Sequence, residues 1–161
     1  MKRGKLIFIT ILTFLINISF DRITKILAVM FLKGSNPTSF LNGLVVLRYT
    51  ENPGSFLSLG AGWPEGIKFI FLLGIPLAVC VFGLVYCLVK EEDMLRVVLI
   101  VTIVAGGAGN LLDRMVNHFL VTDFLNFGIG GFRTGILNVA DLSVTFGVIM
   151  LCLYELKKEK N

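Results

Sequence analysis

Residues 69 to 89 read FIFLLGIPLAVCVFGLVYCLV and contain no charged side chain. A run of about 20 apolar residues is long enough to cross the hydrocarbon core of a bilayer as a helix. Gly74, Pro76 and Gly83 interrupt the run, but such residues are tolerated in membrane helices that contact neighbouring helices. This stretch therefore predicts a transmembrane helix, and it decides the fold class.

Three further apolar stretches are long enough to span a membrane, at about residues 6–30, 94–112 and 136–154. The chain of 161 residues is 55% hydrophobic and only 16% charged, whereas soluble domains carry about 25% charged residues. We predict an all-α integral membrane protein with four transmembrane helices in a single membrane-embedded domain, residues 1–161. The first stretch has the basic start of a signal peptide but no small-x-small cleavage site after it, so we expect a retained helix.

The basic residues predict the orientation of the helices, because short cytoplasmic segments are enriched in Lys and Arg. Both termini and the link between the second and third spans are then cytoplasmic, and the segments at about 33–66 and 114–135 are extracytoplasmic. Residues 44–49, LVVLRY, have β character and lie among glycines and prolines, which predicts a small extracytoplasmic β-containing flap or cradle. The basic residues used here are Lys2, Arg3, Lys5, Lys90, Arg96, Lys157, Lys158 and Lys160.

Several function classes are disfavoured by the sequence. The net charge is +4, but the basic residues form no stripe that would indicate nucleic-acid binding. Cys80, Cys87 and Cys152 lie inside apolar runs without metal or disulfide spacing, and His118 is the only histidine. The glycines of residues 105–109 are not followed by the Lys-Ser/Thr of a nucleotide-binding loop. We therefore predict no metal, no cofactor and no nucleic-acid partner.

Polar side chains recur at the outer ends of the predicted spans. An ionisable group within a membrane helix costs about 2.5 to 3.5 kcal/mol, so such groups are usually functional. Residues three or four apart share a helix face, and three such strips are expected at the same outer depth. An alternative is that these charges only reach the aqueous interface, with Asp21 and Lys25 as a simple ion pair. The strips are Asp21/Lys25, Asn110/Asp113/Arg114 and Asn138/Asp141.

Asp123 and Asp141 are the candidate catalytic pair. We expect Asp123 in a short outward loop at 121–125, and Asp141 follows it by 18 residues in the last span. Two neighbouring carboxyls can share one proton, so that one deprotonates a water and the other polarises a carbonyl. The side chains of Asn110, Asn138 and Arg114 would orient the backbone of a bound peptide.

The residues leave three alternatives open. Ser55 and Lys25 could form a serine nucleophile and its base. Asp21, Lys25, Asp113 and Asp141 could form the relay of a small proton- or ion-coupled membrane carrier. A non-catalytic assembly factor for envelope proteins would bind precursors without cleaving them.

Five short motifs occur in order along the chain and, together with the four spans, carry a resemblance that covers essentially all of it. They are Asp21-x-x-Thr-Lys25, Asn52-x-Gly-x-Phe56, Gly107-Ala-Gly-Asn110-x-x-Asp-Arg114, Val121-x-Asp-Phe124 and Asn138-Val-Ala-Asp141. In this pattern the chain resembles the lipoprotein signal peptidases, also called signal peptidase II.

The resemblance implies an intramembrane aspartic endopeptidase of the bacterial cytoplasmic membrane. Its substrates would be diacylglyceryl-modified prolipoproteins, cut just before the lipid-modified cysteine at the extracytoplasmic face. Globomycin-like peptides would be inhibitors, membrane lipid a further partner, and segment 33–66 a cradle over the substrate; we expect a monomer. The matching positions are Asp123 and Asp141 as catalytic residues, Asn52, Asn110, Arg114 and Asn138 as substrate-binding residues, and Asp21, Lys25, Gly54, Gly107, Gly109 and Asp113 as supporting residues.

Some positions depart from the usual family pattern. Ser55 stands where alanine is common, Pro53 stiffens the same turn, and residues 133–137 read RTGIL where a Phe-Pro-x-Phe-type run is more usual. These departures affect the expected wall of the pocket and leave both aspartates in place.

Overall fold

A computed structural model describes residues 3–55 and 58–159. Within these residues, four helices are long and apolar enough to cross a membrane: α1 (Arg3–Leu32), α2 (Glu65–Val89), α3 (Met94–Val116) and α4 (Val139–Glu159). The predicted four-helix membrane fold is confirmed. Lys2 and Lys160, used above for orientation, and Phe56 of the second motif lie outside the described residues.

The helix ends differ from the predicted bounds by up to five residues, the largest difference being at the end of α4, Glu159. Helix α3 continues to Val116, and α2 begins at Glu65. Helix α4 begins at Val139 rather than at Ile136. The reason for the later start is that Ile136 belongs to a strand, whereas Asn138 forms the cap of the helix.

Helix α2 contains a π-helical segment, Phe69–Gly74, just before Pro76. Proline has no backbone N–H, and its ring crowds the carbonyl one turn earlier in a regular helix. The wider π turn accommodates this proline in the middle of the span.

Helix α3 is at the centre of the bundle and contacts α1, α2 and α4. Glycines allow this close approach. A Cβ atom at Gly106 would lie 2.5 Å from the Ala140 carbonyl oxygen, and one at Gly109 would lie 2.6 Å from Asp21 Oδ2. At the other end of the bundle, a buried cluster is formed by Leu6, Cys87, Val97 and Val101.

The predicted β-containing flap is confirmed as a four-stranded antiparallel sheet in the order β1-β2-β3-β4. Its strands are β1 (Thr38–Phe40), β2 (Val45–Asn52), β3 (Val121–Ile129) and β4 (Phe132–Leu137). The expectation that Asp123 lies in a short loop is wrong: Asp123 lies in β3 opposite Thr50 of β2. This pairing supplies backbone partners that the local sequence does not reveal, and it brings the end of β2 beside Asp123.

Candidate active site

Asp123 is held by two amide groups. Its Oδ1 accepts a hydrogen bond from Asn138 Nδ2 at 2.6 Å, and its Oδ2 accepts one from Asn52 Nδ2 at 3.0 Å. Asn52 is at the end of β2, so the strand pairing positions this donor. The Asp123 side chain is therefore held by two hydrogen bonds, and the residue is buried, with only 2% of its surface exposed.

Asp141 lies in the first turn of α4 and belongs to a capping box with Asn138. The backbone N–H of Asp141 donates to Asn138 Oδ1 at 2.9 Å, and the backbone N–H of Asn138 donates to Asp141 Oδ2 at 3.0 Å. Asn110 Nδ2 donates to the other oxygen, Oδ1, at 2.8 Å. Both oxygens thus accept hydrogen bonds at a helix N-terminus, where negative charge is favoured.

Asn138 connects the two aspartates. Its Nδ2 donates to Asp123 and also to Asn110 Oδ1 at 3.0 Å, while its Oδ1 receives the Asp141 N–H. The Asn138 residue is fully buried. One immobile amide therefore touches both candidate catalytic residues.

Asp123 and Asp141 line the same cavity, which has a volume of about 260 Å³. One part of its wall is polar and the other apolar, as is typical of cavities that bind small ligands or peptides. The other lining residues are Asn52, Ser55, Pro76, Gly107, Asn110, Arg114, Val121, Ile136, Leu137, Val144 and Thr145.

Burial raises the pKa of Asp123 from 3.8 to about 6, and the charge of the nearby Asp141 carboxyl adds to the rise. The amide donors of Asn52 and Asn138 act in the opposite direction but do not cancel it. Asp123 therefore keeps its proton to a much higher pH than an ordinary aspartate, which suits a general acid.

Arg114 contributes a free donor at the cavity. Its Nη2 donates to the Gly54 carbonyl oxygen at 2.8 Å, whereas its buried Nε has no hydrogen-bond partner among the described residues. A Cβ atom at Gly54 would lie 2.5 Å from the Leu59 carbonyl oxygen, so the loop closes tightly here. Arg114 is thus held through its Nη2 group, while its buried Nε is left without a partner among the described residues.

Asn52 also shapes the loop that follows it. Its Oδ1 accepts from the Gly54 N–H at 3.0 Å, and its Nδ2 donates to the Ser55 carbonyl oxygen at 3.1 Å. Side chains of this type commonly stabilise turns by such bonds to the backbone two residues on. The same amide therefore orders the loop and holds Asp123.

Asp21 and Lys25 form an ion pair at 3.1 Å, and both side chains are buried inside the protein. Their residues are 1% and 3% exposed. Lys25 Nζ also lies 2.8 Å from Asp113 Oδ2 and donates to Asn110 Oδ1 at 2.9 Å. Lys25 thereby orients Asn110 so that the amide nitrogen of Asn110 faces Asp141.

The Ser55 and Lys25 alternative has no geometric support. Ser55 lines the cavity, but Lys25 Nζ is bound by Asp21, Asp113 and Asn110. None of these Lys25 contacts involves Ser55.

The sequence-predicted site residues all lie at the cavity or directly behind it. The layer behind the lining residues is formed by Asn138, Asp21, Lys25, Asp113 and Gly109, together with Gly54, whose carbonyl oxygen accepts from Arg114. The apolar part of the cavity wall was not predicted from the sequence. Only Val144 and Thr145 had a sequence signal, because they follow Asp141 by three and four residues and so share its helix face. The other apolar residues missed are Pro76, Val121, Ile136 and Leu137.

Comparison with known proteins gives a consistent family match. The family model described as signal peptidase (SPase) II matches residues 13–157. A lipoprotein signal peptidase of Borrelia duttonii (strain Ly) is 36% identical over 164 residues, covering 98% of this chain and 93% of that protein. A lipoprotein signal peptidase of Borreliella burgdorferi (strain ZS7) is 31% identical over 154 residues, covering 92% of this chain and 90% of that protein.

Solved structures show the same fold. A bacterial membrane enzyme determined by the in meso method at 2.3 Å resolution superposes with a TM-score of 0.81 at 24% identity, covering 93% of this chain and 88% of that chain. A second such structure, at 1.9 Å resolution, gives a TM-score of 0.78 at 24% identity and covers 92% of each chain.

Proposed function

Since the chain belongs to the signal peptidase II family, we propose that it cleaves by an aspartic mechanism in which Asp123 and Asp141 act on one water molecule. The family membership makes the chain a protease that removes signal peptides from prolipoproteins. The observation that carries the proposed mechanism is the pair of carboxyls lining one cavity and joined through the amide of Asn138.

The two aspartates take different roles. Asp141, at the positive end of α4, is the ionised base that takes a proton from the water. Asp123, whose pKa is raised, is the acid that donates its proton to the scissile carbonyl oxygen as the water oxygen attacks the carbon. When the C–N bond breaks, the leaving nitrogen takes up the proton that Asp141 received. The proton on the former carbonyl oxygen returns to Asp123, so the new carboxyl group forms and both aspartates regain their starting states.

Asn52, Asn110, Asn138 and Arg114 support this reaction in two ways. The three amides hold the carboxyls in place. The unpartnered Nε of Arg114 is the donor for a backbone carbonyl of the bound peptide. Asp21, Lys25, Asp113 and the close-packing Gly54, Gly107 and Gly109 keep this constellation rigid.

The substrate is a diacylglyceryl-modified prolipoprotein cut before its lipid-modified cysteine. Its signal peptide is a short apolar helix that reaches the cavity through lipid, and a lipid adduct keeps the neighbouring cysteine at the membrane surface. The helices expose large apolar side chains to such an environment, including Phe8, Phe20 and Phe82. Globomycin-like peptides would occupy the same cavity.

The active site lies at the extracytoplasmic face of the bacterial cytoplasmic membrane, in a monomer with both termini in the cytoplasm. Support comes from the opposite end of the bundle, where Arg3 donates to the Glu91 carbonyl oxygen and Arg96 pairs with Glu155. Basic residues near short loops mark the cytoplasmic side. The comparisons do not support the alternative of a proton- or ion-coupled carrier.

Cleavage of a lipid-modified precursor by purified protein in detergent tests the mechanism. We expect Asp123→Asn and Asp141→Asn each to lose at least about 1,000-fold in rate, because each removes the acid or the base. Glu92→Gln, an exposed carboxyl on the loop between α2 and α3, is the matched control and should retain full activity. Ser55→Ala should retain most of the activity; full turnover by both aspartate variants would refute the mechanism.

A further inference from the structure

Two buried carboxylates behind the site are joined by two cations. Arg22 Nη2 lies 2.7 Å from Asp21 Oδ2, and Arg22 Nη1 lies 2.6 Å from Asp113 Oδ1. Lys25 Nζ lies 3.1 Å from Asp21 Oδ2 and 2.8 Å from Asp113 Oδ2. The four side chains form a closed ring of alternating charge, called the ion ring below.

Each carboxylate of the ion ring also holds one backbone N–H group. Asp21 Oδ1 accepts from Ala140 N at 3.1 Å, and Asp113 Oδ2 accepts from Thr122 N at 3.2 Å. Ala140 directly precedes Asp141, and Thr122 directly precedes Asp123. The ring therefore holds helix α4 and strand β3 one residue before each catalytic aspartate.

The two cations of the ion ring differ in how rigidly they hold the Asp21 and Asp113 carboxylates. The guanidinium of Arg22 is planar and rigid, and it places one Nη group on each carboxylate, so it sets the distance between Asp21 and Asp113. It is further held by the Gly109 carbonyl oxygen, which accepts from Nη2 at 3.0 Å. The ammonium of Lys25 is a point charge on a flexible stem and is shared with Asn110.

We propose that Arg22 is a positioning residue for peptide-bond hydrolysis: by fixing Asp21 relative to Asp113, it sets the separation of the Asp141 and Asp123 carboxyls. This inference rests on the proposed role of the two aspartates. Arg22 is not among the residues lining the cavity, so it acts through Asp21 and Asp113 and leaves the substrate contacts unchanged. Its loss should therefore lower kcat and leave KM nearly constant.

The test is to measure kcat and KM for Arg22→Gln and Arg22→Lys, with Arg96→Gln as the matched control. Arg96 also joins two helices, since it forms an ion pair with Glu155 at 2.5 Å, but at the other end of the bundle. We expect Arg22→Gln to lose about 10- to 100-fold in kcat, since a displacement of about 1 Å at reacting groups costs about 100-fold. The kcat of Arg22→Lys should lie between those of the wild type and Arg22→Gln, and Arg96→Gln should keep the wild-type kcat.

Thermal unfolding of the same variants separates positioning from general stability. A similar loss of stability in Arg22→Gln and Arg96→Gln, with kcat lowered only in the first, supports the proposal. A wild-type kcat in Arg22→Gln, an equal kcat loss in both variants, or a change confined to KM would overturn it. If Arg22→Gln does not fold, Arg22→Lys decides by the same criteria. Asp123→Asn is measured in parallel: activity in that variant contradicts the dyad itself, whereas an inactive Asp123→Asn beside an unaffected Arg22→Gln contradicts only the role of Arg22.

Discussion

Asn138 and Asp141 each bind the backbone of the other, through an N–H to Oδ1 bond of 2.9 Å and an N–H to Oδ2 bond of 3.0 Å. This reciprocal cap begins helix α4 and at the same time aims the Asp141 carboxyl into the cavity. A common device for starting a helix is thus also the device that orients a proposed catalytic base.

Replacing Asn138 separates these two roles. Asn138→Ala should lose about 1 kcal/mol or more of stability through the cap and should lose most of the activity, because the donor to Asp123 Oδ1 is removed. Asn138→Ser keeps a capping oxygen but has no amide group. We therefore expect the serine variant to recover stability without recovering activity, as judged by thermal unfolding and by precursor cleavage; equal activity in Asn138→Ser and the wild type would contradict the role of the amide.

The activity should depend on pH through Asp123. Its pKa is raised to about 6 by burial and by the Asp141 charge, so the carboxyl is protonated below that value and loses its proton above it. Because the reaction needs this proton, kcat/KM should fall as the pH rises through about 6, with the apparent pKa belonging to the coupled pair. A profile of kcat/KM that stays flat from about pH 5 to pH 8 would argue against Asp123 as the acid.

The ion ring should also be essential for stability. Lys25→Met leaves two buried carboxylates with one cation fewer, and we expect a loss of about 3 to 5 kcal/mol in the free energy of unfolding. Lys33→Met is the matched control, because Lys33 pairs with Glu51 at 2.9 Å on the exposed surface and such pairs contribute less than about 1 kcal/mol. If the two substitutions lower the free energy of unfolding in detergent by the same amount, the proposed contribution of the ion ring to stability is contradicted.

The packing of α1 against α3 can be tested at Gly109. A Cβ atom there would lie 2.6 Å from Asp21 Oδ2, so Gly109→Ala should cost about 1 to 3 kcal/mol and lower the activity by displacing Asp21. At Gly66, in the first turn of α2, an added Cβ meets nothing within 4 Å. Gly66→Ala should therefore unfold at or above the wild-type temperature, and an unaltered Gly109→Ala would contradict the close contact.

Much of the fold could be predicted because each helix that crosses a membrane requires a long apolar segment, which is visible in the local sequence. The absence of charge over residues 69–89 and the three- and four-residue spacing of the polar strips are local features. The strand character of Asp123 was not predictable in this way, since it depends on pairing with β2, and its partner Asn52 is 71 residues away in the chain.

The role of Arg22 was hidden for a similar reason. In the sequence it resembles an interfacial charge next to Asp21, and only the packing of α1 against α3 brings its guanidinium to Asp113, 91 residues away. The apolar wall formed in part by Pro76 and Ile136 likewise comes from separate elements. Contacts between different helices and strands could not be predicted from the sequence, whereas features within one helix could.

The central claim is that Asp123 and Asp141 act as one catalytic unit, and a double-substitution experiment tests it most directly. Single-turnover cleavage of a lipid-modified precursor is measured for the wild type, Asp123→Asn, Asp141→Asn and the variant carrying both changes. For groups that act as a unit, we expect the double variant to be no slower than the slower single variant. Losses that multiply in the double variant, or wild-type cleavage by either single variant, would contradict the claim.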